Sequence, residues 1–246
     1  MAEQPDIPPR TPDEELLEAP RDIVTDQFRV RRMRRELEMG FQELADVERA
    51  IVVFGSARTP ADHPEYALAC RVAHALGEAG FAIITGAGGG IMAAANRGAR
   101  EAGARSIGLG IDLPFAEPEN PWIDEPVRFH YFFTRKVMFV RYASAFVVFP
   151  GGYGTLDEMF EALTLMQTRK IRSFPLVLVG SDYWTGLVGW LRDRATAEGK
   201  ISAAELELIE ITDDPAEVVR IVSAAAARSA TELPDGADQA AGYDQG

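Results

Sequence analysis

A chain of 246 residues can bury a full core, and its net charge of −13 argues against a nucleic-acid binder, whose footprint would be a basic stripe. The basic residues are arginines apart from Lys136, Lys170 and Lys200, and the single Cys70 allows no disulfide within the chain. There is neither a charged-then-apolar leader nor an apolar run long enough to span a bilayer, so the expectation is a soluble cytoplasmic protein with no membrane partner.

Residues 1–21 are rich in proline and acids and poor in apolar side chains, a composition that predicts disorder. Residues 22–48 follow as an amphipathic segment: Val24, Phe28, Met33, Leu37, Phe41 and Leu44 recur at helical spacing, with Gly40 a candidate break. The main domain, 49–228, alternates strands and helices. A buried-type strand at Arg49–Phe54 ends in Gly55-Ser56-Ala57-Arg58. A helix from Pro64 to Ala79 then stops at Gly80, and the strand Phe81–Thr85 runs into Gly86-Ala-Gly-Gly-Gly. A helix over Ile91–Ala102, a strand over Ser106–Ile111, a proline-containing loop at 112–126, a strand over Val127–Tyr131 and a helix over Thr134–Ala143 come next.

The strand Ala145–Phe149 is continuous, aromatic and β-branched, the pattern of a strand buried on both faces. A helix to about Lys170, a strand at Pro175–Val179, a helix over Tyr183–Ala197, a strand near Leu208–Ile211 and a helix from Pro215 to about Ala227 complete the domain. Residues 229–246 read as a disordered tail. This order predicts an α/β protein with a Rossmann-like, doubly wound, mainly parallel sheet of about seven strands and helices on both faces.

The sharpest chemical signal is Pro150-Gly-Gly-Tyr-Gly-Thr-Leu-Asp-Glu158. Gly151, Gly152 and Gly154 let a backbone approach a ligand, Thr155 is placed to cap the next helix, and a helix N-terminus carries bare N–H groups suited to a phosphate or carboxylate. The bland reading is a structural turn. Glu158 is the candidate acid or base, set outside a core stripe of Leu156, Met159, Phe160, Leu163 and Met166; the alternative is an acid that merely complements the helix dipole. Ala162 and Leu165 continue the Glu158 line, which suggests a partner subunit on that face.

Upstream, Gly88 to Ala93 fits a G-x-G-x-x-A pattern, with Asp112 at the end of the next strand. Gly86, Gly88, Gly89 and Gly90 are therefore candidate nucleotide contacts, or else glycines that allow close helix packing. Arg135 shares a helix face with Met138 and Tyr142, a cation beside an apolar shelf, while Lys136 points away and Val137 and Val140 turn to the core. His63, His74 and His130 are isolated, so no metal site is indicated; no Walker-type loop and no G-x-S-x-G elbow occur.

Together, Arg135-Lys136 and Pro150-Gly-Gly-Tyr-Gly-Thr-Leu-Asp-Glu158 resemble the R-K and P-G-G-x-G-T-x-x-E motifs of the LONELY GUY family, cytokinin riboside 5′-monophosphate phosphoribohydrolases once labelled lysine decarboxylases. Gly55-Ser-Ala-Arg and Thr85-Gly-Ala-Gly-Gly-Gly-Ile-Met stand where that family has its first two loops, and the resemblance covers roughly 50–225. It implies hydrolysis of the N-glycosidic bond of a nucleoside 5′-monophosphate, with Arg135 and Glu158 as the catalytic pair and no cofactor. It further implies that the 151–155 loop seats the phosphate, that Ser56 and Gly86 to Gly90 line the ribose side, that Met138 meets the base, and that the protein is a homodimer or larger. A non-catalytic nucleotide or cofactor carrier on the same fold is the alternative, and a nicotinamide-dependent oxidoreductase a more distant one. Pyridoxal-dependent lysine decarboxylation is disfavoured, because Lys136 is the only lysine near the motifs.

Overall fold

The computed structural model describes residues 23–113 and 120–231; the leader at 1–21, residues 114–119 of the 112–126 loop and the tail from 232 lie outside the described residues. In chain order the elements are α1 (Ile23–Glu43), β1 (Ala50–Phe54), α2 (Pro64–Glu78), β2 (Ala82–Thr85), α3 (Ile91–Glu101), β3 (Ser106–Ile111) and β4 (Glu125–Phe129). They continue as α4 (Phe132–Tyr142), β5 (Ala143–Val148), α5 (Tyr153–Gln167), β6 (Leu176–Leu178) and α6 (Ser181–Trp190). The last of these runs into a π-turn at Leu191–Thr196, and α7 (Ala203–Leu206), β7 (Ile209–Ile211) and α8 (Pro215–Thr231) complete the order.

The seven strands form one sheet in the order β4-β3-β2-β1-β5-β6-β7, parallel at every pairing. The β1 side chains show how it is covered: Ala50, Val52 and Phe54 enter one core with Leu44, Phe139 and Met159, while Ile51 and Val53 enter the other with Leu76, Ile91 and Val222. Helices α1, α4, α5 and α6 thus cover one face, and α2, α3 and α8 the other. Burial on both faces is what the unbroken apolar runs of β1 and β5 require.

The winding direction reverses between β1 and β5, so the crevice outside their carboxyl ends is the switch point, where such sheets bind ligands. The chain is stitched across that point: Phe149 N–H donates to the Phe54 carbonyl at 2.9 Å and Ser56 N–H to the Pro150 carbonyl at 2.9 Å. The loops after β1 and β5 therefore form one continuous floor.

Several sequence expectations shift. Gly40 does not break α1; the helix is continuous, and a Cβ at Gly40 would stand 2.7 Å from the Met138 sulfur, so the glycine is there for close approach to α4. Phe28 and Phe41 are exposed, and the packed face of α1 runs instead through Glu36, Leu37 and Gly40, with Leu44 buried just past its end. Helix α8 continues to Thr231, past the expected start of the tail at 229.

Candidate active site

A cleft of about 760 Å³ opens at the switch point. Its floor is Gly55 to Arg58 after β1 and Gly86 after β2; its walls are Phe132, Arg135 and Phe139 of α4 and residues 151–158 of the β5–α5 junction, with Met92, Ile111 and Leu113 closing one end. Of the sequence candidates, Ser56, Gly86, Arg135, Gly151, Gly152, Gly154, Thr155 and Glu158 all line this one cleft.

The β5–α5 loop has the form of an anion cradle. Helix α5 begins at Tyr153, with Gly152 as N-cap and no side-chain cap, so its first N–H groups have no partner within the helix. This corrects the expectation that Thr155 caps the helix. Thr155 is the third helical residue, and its hydroxyl occupies the space a Cβ on Gly151 would need. A Cβ on Gly152 or Gly154 would meet nothing within 4 Å, because both face the open cleft. The Tyr183 hydroxyl, from α6, donates to the Gly151 carbonyl at 2.8 Å and buttresses the loop.

The earlier start of α5 also changes what Glu158 is. It lies in the second turn, where a dipole complement has faded, and only 7% of it is exposed. Burial pushes its carboxyl up to about 7; Lys136 and then Arg135 pull it down, and Glu161 and Asp157 push it up. A carboxyl poised near neutrality can both hold and release a proton at physiological pH. Lys136 points away from the cleft, as expected, and is held there by Asp157 at 2.8 Å and Glu161 at 2.7 Å.

Arg135 is 9% exposed, and its guanidinium lies over the rings of Phe132, 5.0 Å from the centroid, and Phe139, 5.4 Å. The apolar shelf beside the cation is thus made by residues at i−3 and i+4. Met138 is not part of it: it is fully buried beneath Gly40 of α1 and does not line the cleft, which corrects its assignment to a base contact. Val137 is exposed rather than core-facing. On α5, Phe160 is exposed while Ala162 is fully buried in the chain's own core, so Ala162 gives no argument for a partner subunit.

The second glycine turn differs from the first. Gly88, Gly89 and Gly90 do not line the cleft. Gly90 has φ +57, and a Cβ there would collide with the backbone of Ser56 and Ala57; Ile91 N–H donates to the Ser56 carbonyl at 3.0 Å. Gly89 and Gly90 seat the β1 loop on α3, and so act behind the wall. The turn is shaped by a polar network absent from the sequence reading: the Thr85 hydroxyl donates to Asn96 Oδ1 at 2.6 Å and accepts from Ala87 N–H at 3.1 Å. Asn120 Nδ2 donates to the Gly88 carbonyl at 3.1 Å and to Asn96 Oδ1 at 2.9 Å. It holds Ala87 at φ 67, a conformation uncommon for a residue with a Cβ. Buried asparagine inside an alanine-rich helix was the available signal for Asn96.

A parallel, doubly wound sheet with an uncapped glycine cradle, a buried carboxyl and a buried arginine at its switch point defines a Rossmann-like α/β protein built around an anion-binding crevice. Comparison with known proteins carries this to a family. A family profile described as "Possible lysine decarboxylase" matches residues 92–222, over half of the chain, and the chain belongs to that family, the LONELY GUY family.

Among curated proteins, the chain is 33% identical over 174 residues to the pyrimidine/purine nucleotide 5′-monophosphate nucleosidase of Escherichia coli K12, an alignment covering 63% of this chain and 36% of that protein. The chain thus spans little more than a third of that relative's length. It is 29% identical over 186 residues to a probable cytokinin riboside 5′-monophosphate phosphoribohydrolase, LOG4, of Oryza sativa subsp. japonica, covering 73% of this chain and 78% of that one. Among solved structures, the molybdenum cofactor carrier protein of Chlamydomonas reinhardtii superposes with a TM-score of 0.54 at 21% identity, over 73% of this chain and 99% of that one, a likeness of fold.

Proposed function

We propose that this protein hydrolyses the N-glycosidic bond of a nucleoside 5′-monophosphate, AMP or a cytokinin riboside monophosphate, to the free base and ribose 5-phosphate. The observation that carries the reading is Glu158: a buried carboxyl with a near-neutral pKa, on the wall of the cleft that contains the uncapped N-terminus of α5 and Arg135. The names of the relatives support the same chemistry.

In this reading the 5′-phosphate sits against the free N–H groups at Tyr153 to Thr155, where helix geometry and dipole both favour an anion. That places C1′ toward Glu158. As the bond to the base lengthens, positive charge grows on the ribosyl carbon and ring oxygen, and the ionised carboxylate opposes it while accepting the proton of the attacking water; that proton then passes to the departing base and the carboxylate is regenerated. Lys136 and then Arg135 keep a fraction of Glu158 ionised at neutral pH, and Arg135 with the Phe132 and Phe139 rings gives a flat base a polarisable surface. Ser56 and Gly86 form the floor beneath the ribose.

A homodimer and a cytoplasmic setting belong to the same proposal. Support for the first is the exposed apolar set of Phe133, Val137 and Phe160 on α4 and α5; among the described residues no helix is long and apolar enough to cross a membrane.

The test is incubation of the purified protein with AMP and with isopentenyladenosine 5′-monophosphate, followed by chromatography of the released base, with Glu158→Gln alongside. Release that disappears in the variant while nucleotide binding persists supports the reading and ranks the two substrates. Binding without release from either would move the assignment to a carrier.

A further inference from the structure

Helix α1 reaches the candidate site through one buried carboxylate. Glu36 lies on the packed face of α1 and is 6% exposed. Its Oε2 accepts from the Tyr131 N–H at 3.3 Å and from the Thr134 hydroxyl at 2.8 Å, and its Oε1 stands 3.4 Å from His130 Nδ1. His130 Nε2 in turn lies 3.1 Å from Asp112 Oδ2, so the contacts continue into the segment that follows β3.

Tyr131 is the N-cap of α4 and offers no side-chain cap. In a capping box, a carboxylate at the third helical position reaches back to the N-cap N–H. Here the third position is Thr134, which has no carboxylate, and Glu36 supplies it from another helix, gripping the N-cap N–H and the third side chain together. The next residue is Arg135. Its own backbone bond to the Tyr131 carbonyl is long, at 3.4 Å, and the Thr134 hydroxyl lies 2.8 Å from that carbonyl as well as 2.8 Å from Glu36 Oε2, so Thr134 and Glu36 together close the first turn of α4.

We propose that Glu36 is a positioning residue for Arg135: by clamping Tyr131 and Thr134 it sets where the guanidinium stands relative to the Glu158 carboxyl. The role gives α1, which lies outside the 92–222 match, a direct part in the site. The effect on turnover rests on the hydrolase reading; the geometric claim does not.

The experiment follows the titration of the Glu158 carboxyl by carbon-13 NMR, assigned from its absence in Glu158→Gln. The charged groups facing Glu158 are Lys136 and Arg135 from α4 and Asp157 and Glu161 from its own helix, whereas Glu36 faces His130, with Arg29 and Arg32 near the Tyr131 ring. Two effects of removing Glu36 have opposite signs. Loss of a negative charge by itself lowers the Glu158 midpoint, while displacement of Arg135 removes a positive neighbour and raises it.

Glu36→Ala should therefore titrate Glu158 at higher pH. Thr134→Val, which leaves the carboxylate in place and removes the hydroxyl it grips, should move it the same way. Glu36→Gln, whose amide oxygen still accepts both bonds, should stay at or slightly below the wild-type midpoint. In the same series, kcat for base release from AMP should fall about tenfold or more in Glu36→Ala and Thr134→Val and recover in Glu36→Gln, with little change in KM.

Folded Glu36→Ala and Thr134→Val proteins whose Glu158 midpoint is unchanged or lowered would overturn the inference. If Glu36→Ala does not fold, Thr134→Val and Glu36→Gln decide it. If the wild-type protein releases no base, the hydrolase reading fails and the Glu158 titration still decides the role of Glu36.

Discussion

Two glycine-rich turns follow strand ends in this chain, and in sequence they look alike; in the fold they face opposite ways. At 151–154 the glycines of the cradle look onto the cleft, and Cβ atoms at Gly152 or Gly154 would enter empty space. At 88–90 a Cβ on Gly90 would run into the backbone of Ser56 and Ala57. Glycine therefore leaves open space at Gly152 and Gly154, where the proposed function puts a ligand, and marks close approach of the protein itself at Gly90. A G-x-G pattern cannot separate these cases, because both place the same demand on the local backbone.

The largest effect that would sharpen the contrast is at the chemical end of the cradle. Glu158→Gln keeps the shape of the side chain and removes its proton exchange, and general acid–base groups contribute about 10²–10⁴ in rate. Base release from AMP should fall by that factor, with nucleotide affinity retained. A variant with full turnover would detach the cradle from the reaction.

Next come the glycines themselves. Gly90→Ala forces a Cβ onto a residue at φ +57 and against backbone atoms, which together should cost about 3 kcal/mol of stability, seen as a lower midpoint in urea. Gly154→Ala should do the reverse. Placed in the first turn of α5 with nothing within 4 Å, it gains up to about 1 kcal/mol of helix propensity, while its methyl group crowds the phosphate and weakens AMP binding about tenfold. If Gly154→Ala lost stability and Gly90→Ala lost only affinity, the assignment of the two turns would be inverted.

The buried carboxyl also leaves a mark on stability. The folded Glu158 keeps its proton up to about pH 7, whereas an unfolded glutamate releases it near about 4.3. Between these values the native state binds more protons, so this group's contribution falls as pH rises through the window. Glu158→Gln removes that penalty. The variant should melt close to wild type at pH 4.5 and be more stable at pH 8, by on the order of 3 kcal/mol at the upper limit. Equal melting at both pH values would mean that Glu158 is not desolvated.

The alternation of strands and helices and the turn after β5 were legible from residues because each rests on a local rule. Apolar runs such as Ile51–Phe54 and Ala145–Phe149 bury both faces, and a strand that ends in Pro-Gly-Gly must turn. What escaped is what depends on a distant element. Met138 looked like a neighbour of Arg135 until α1 supplied, at Gly40, the hollow it fills. Glu36 sits on the face of α1 that packs on the domain, where a carboxylate is legible only once the start of α4 is seen beneath it. The Thr85–Asn96–Asn120 network joins three segments that no periodicity links. Helix starts carried a second error of the same origin: reading Thr155 as the cap moved Glu158 into the first turn and made it look more ordinary than it is.

The smallest effect concerns Lys136, the lysine that follows Arg135 on α4. Its ammonium is not aimed into the cleft; it bridges Asp157 and Glu161 on α5, one residue before Glu158 and three after it. It is nonetheless the strongest influence holding the Glu158 carboxyl down. Lys136→Met keeps much of the side-chain volume, removes that positive charge and leaves two carboxylates uncompensated beside a third, so every change pushes Glu158 the same way. If the ionised form is the active one, activity rises as pH passes through the Glu158 midpoint, and in Lys136→Met this limb should move to higher pH by about one unit, equivalent to about 1.4 kcal/mol. The rate at the alkaline plateau should stay close to wild type, because the lysine touches neither the cradle nor the base surface. A limb that stays in place would mean that the Lys136 ammonium does not set the Glu158 midpoint. A lost plateau would instead give Lys136 a chemical part that its geometry does not suggest.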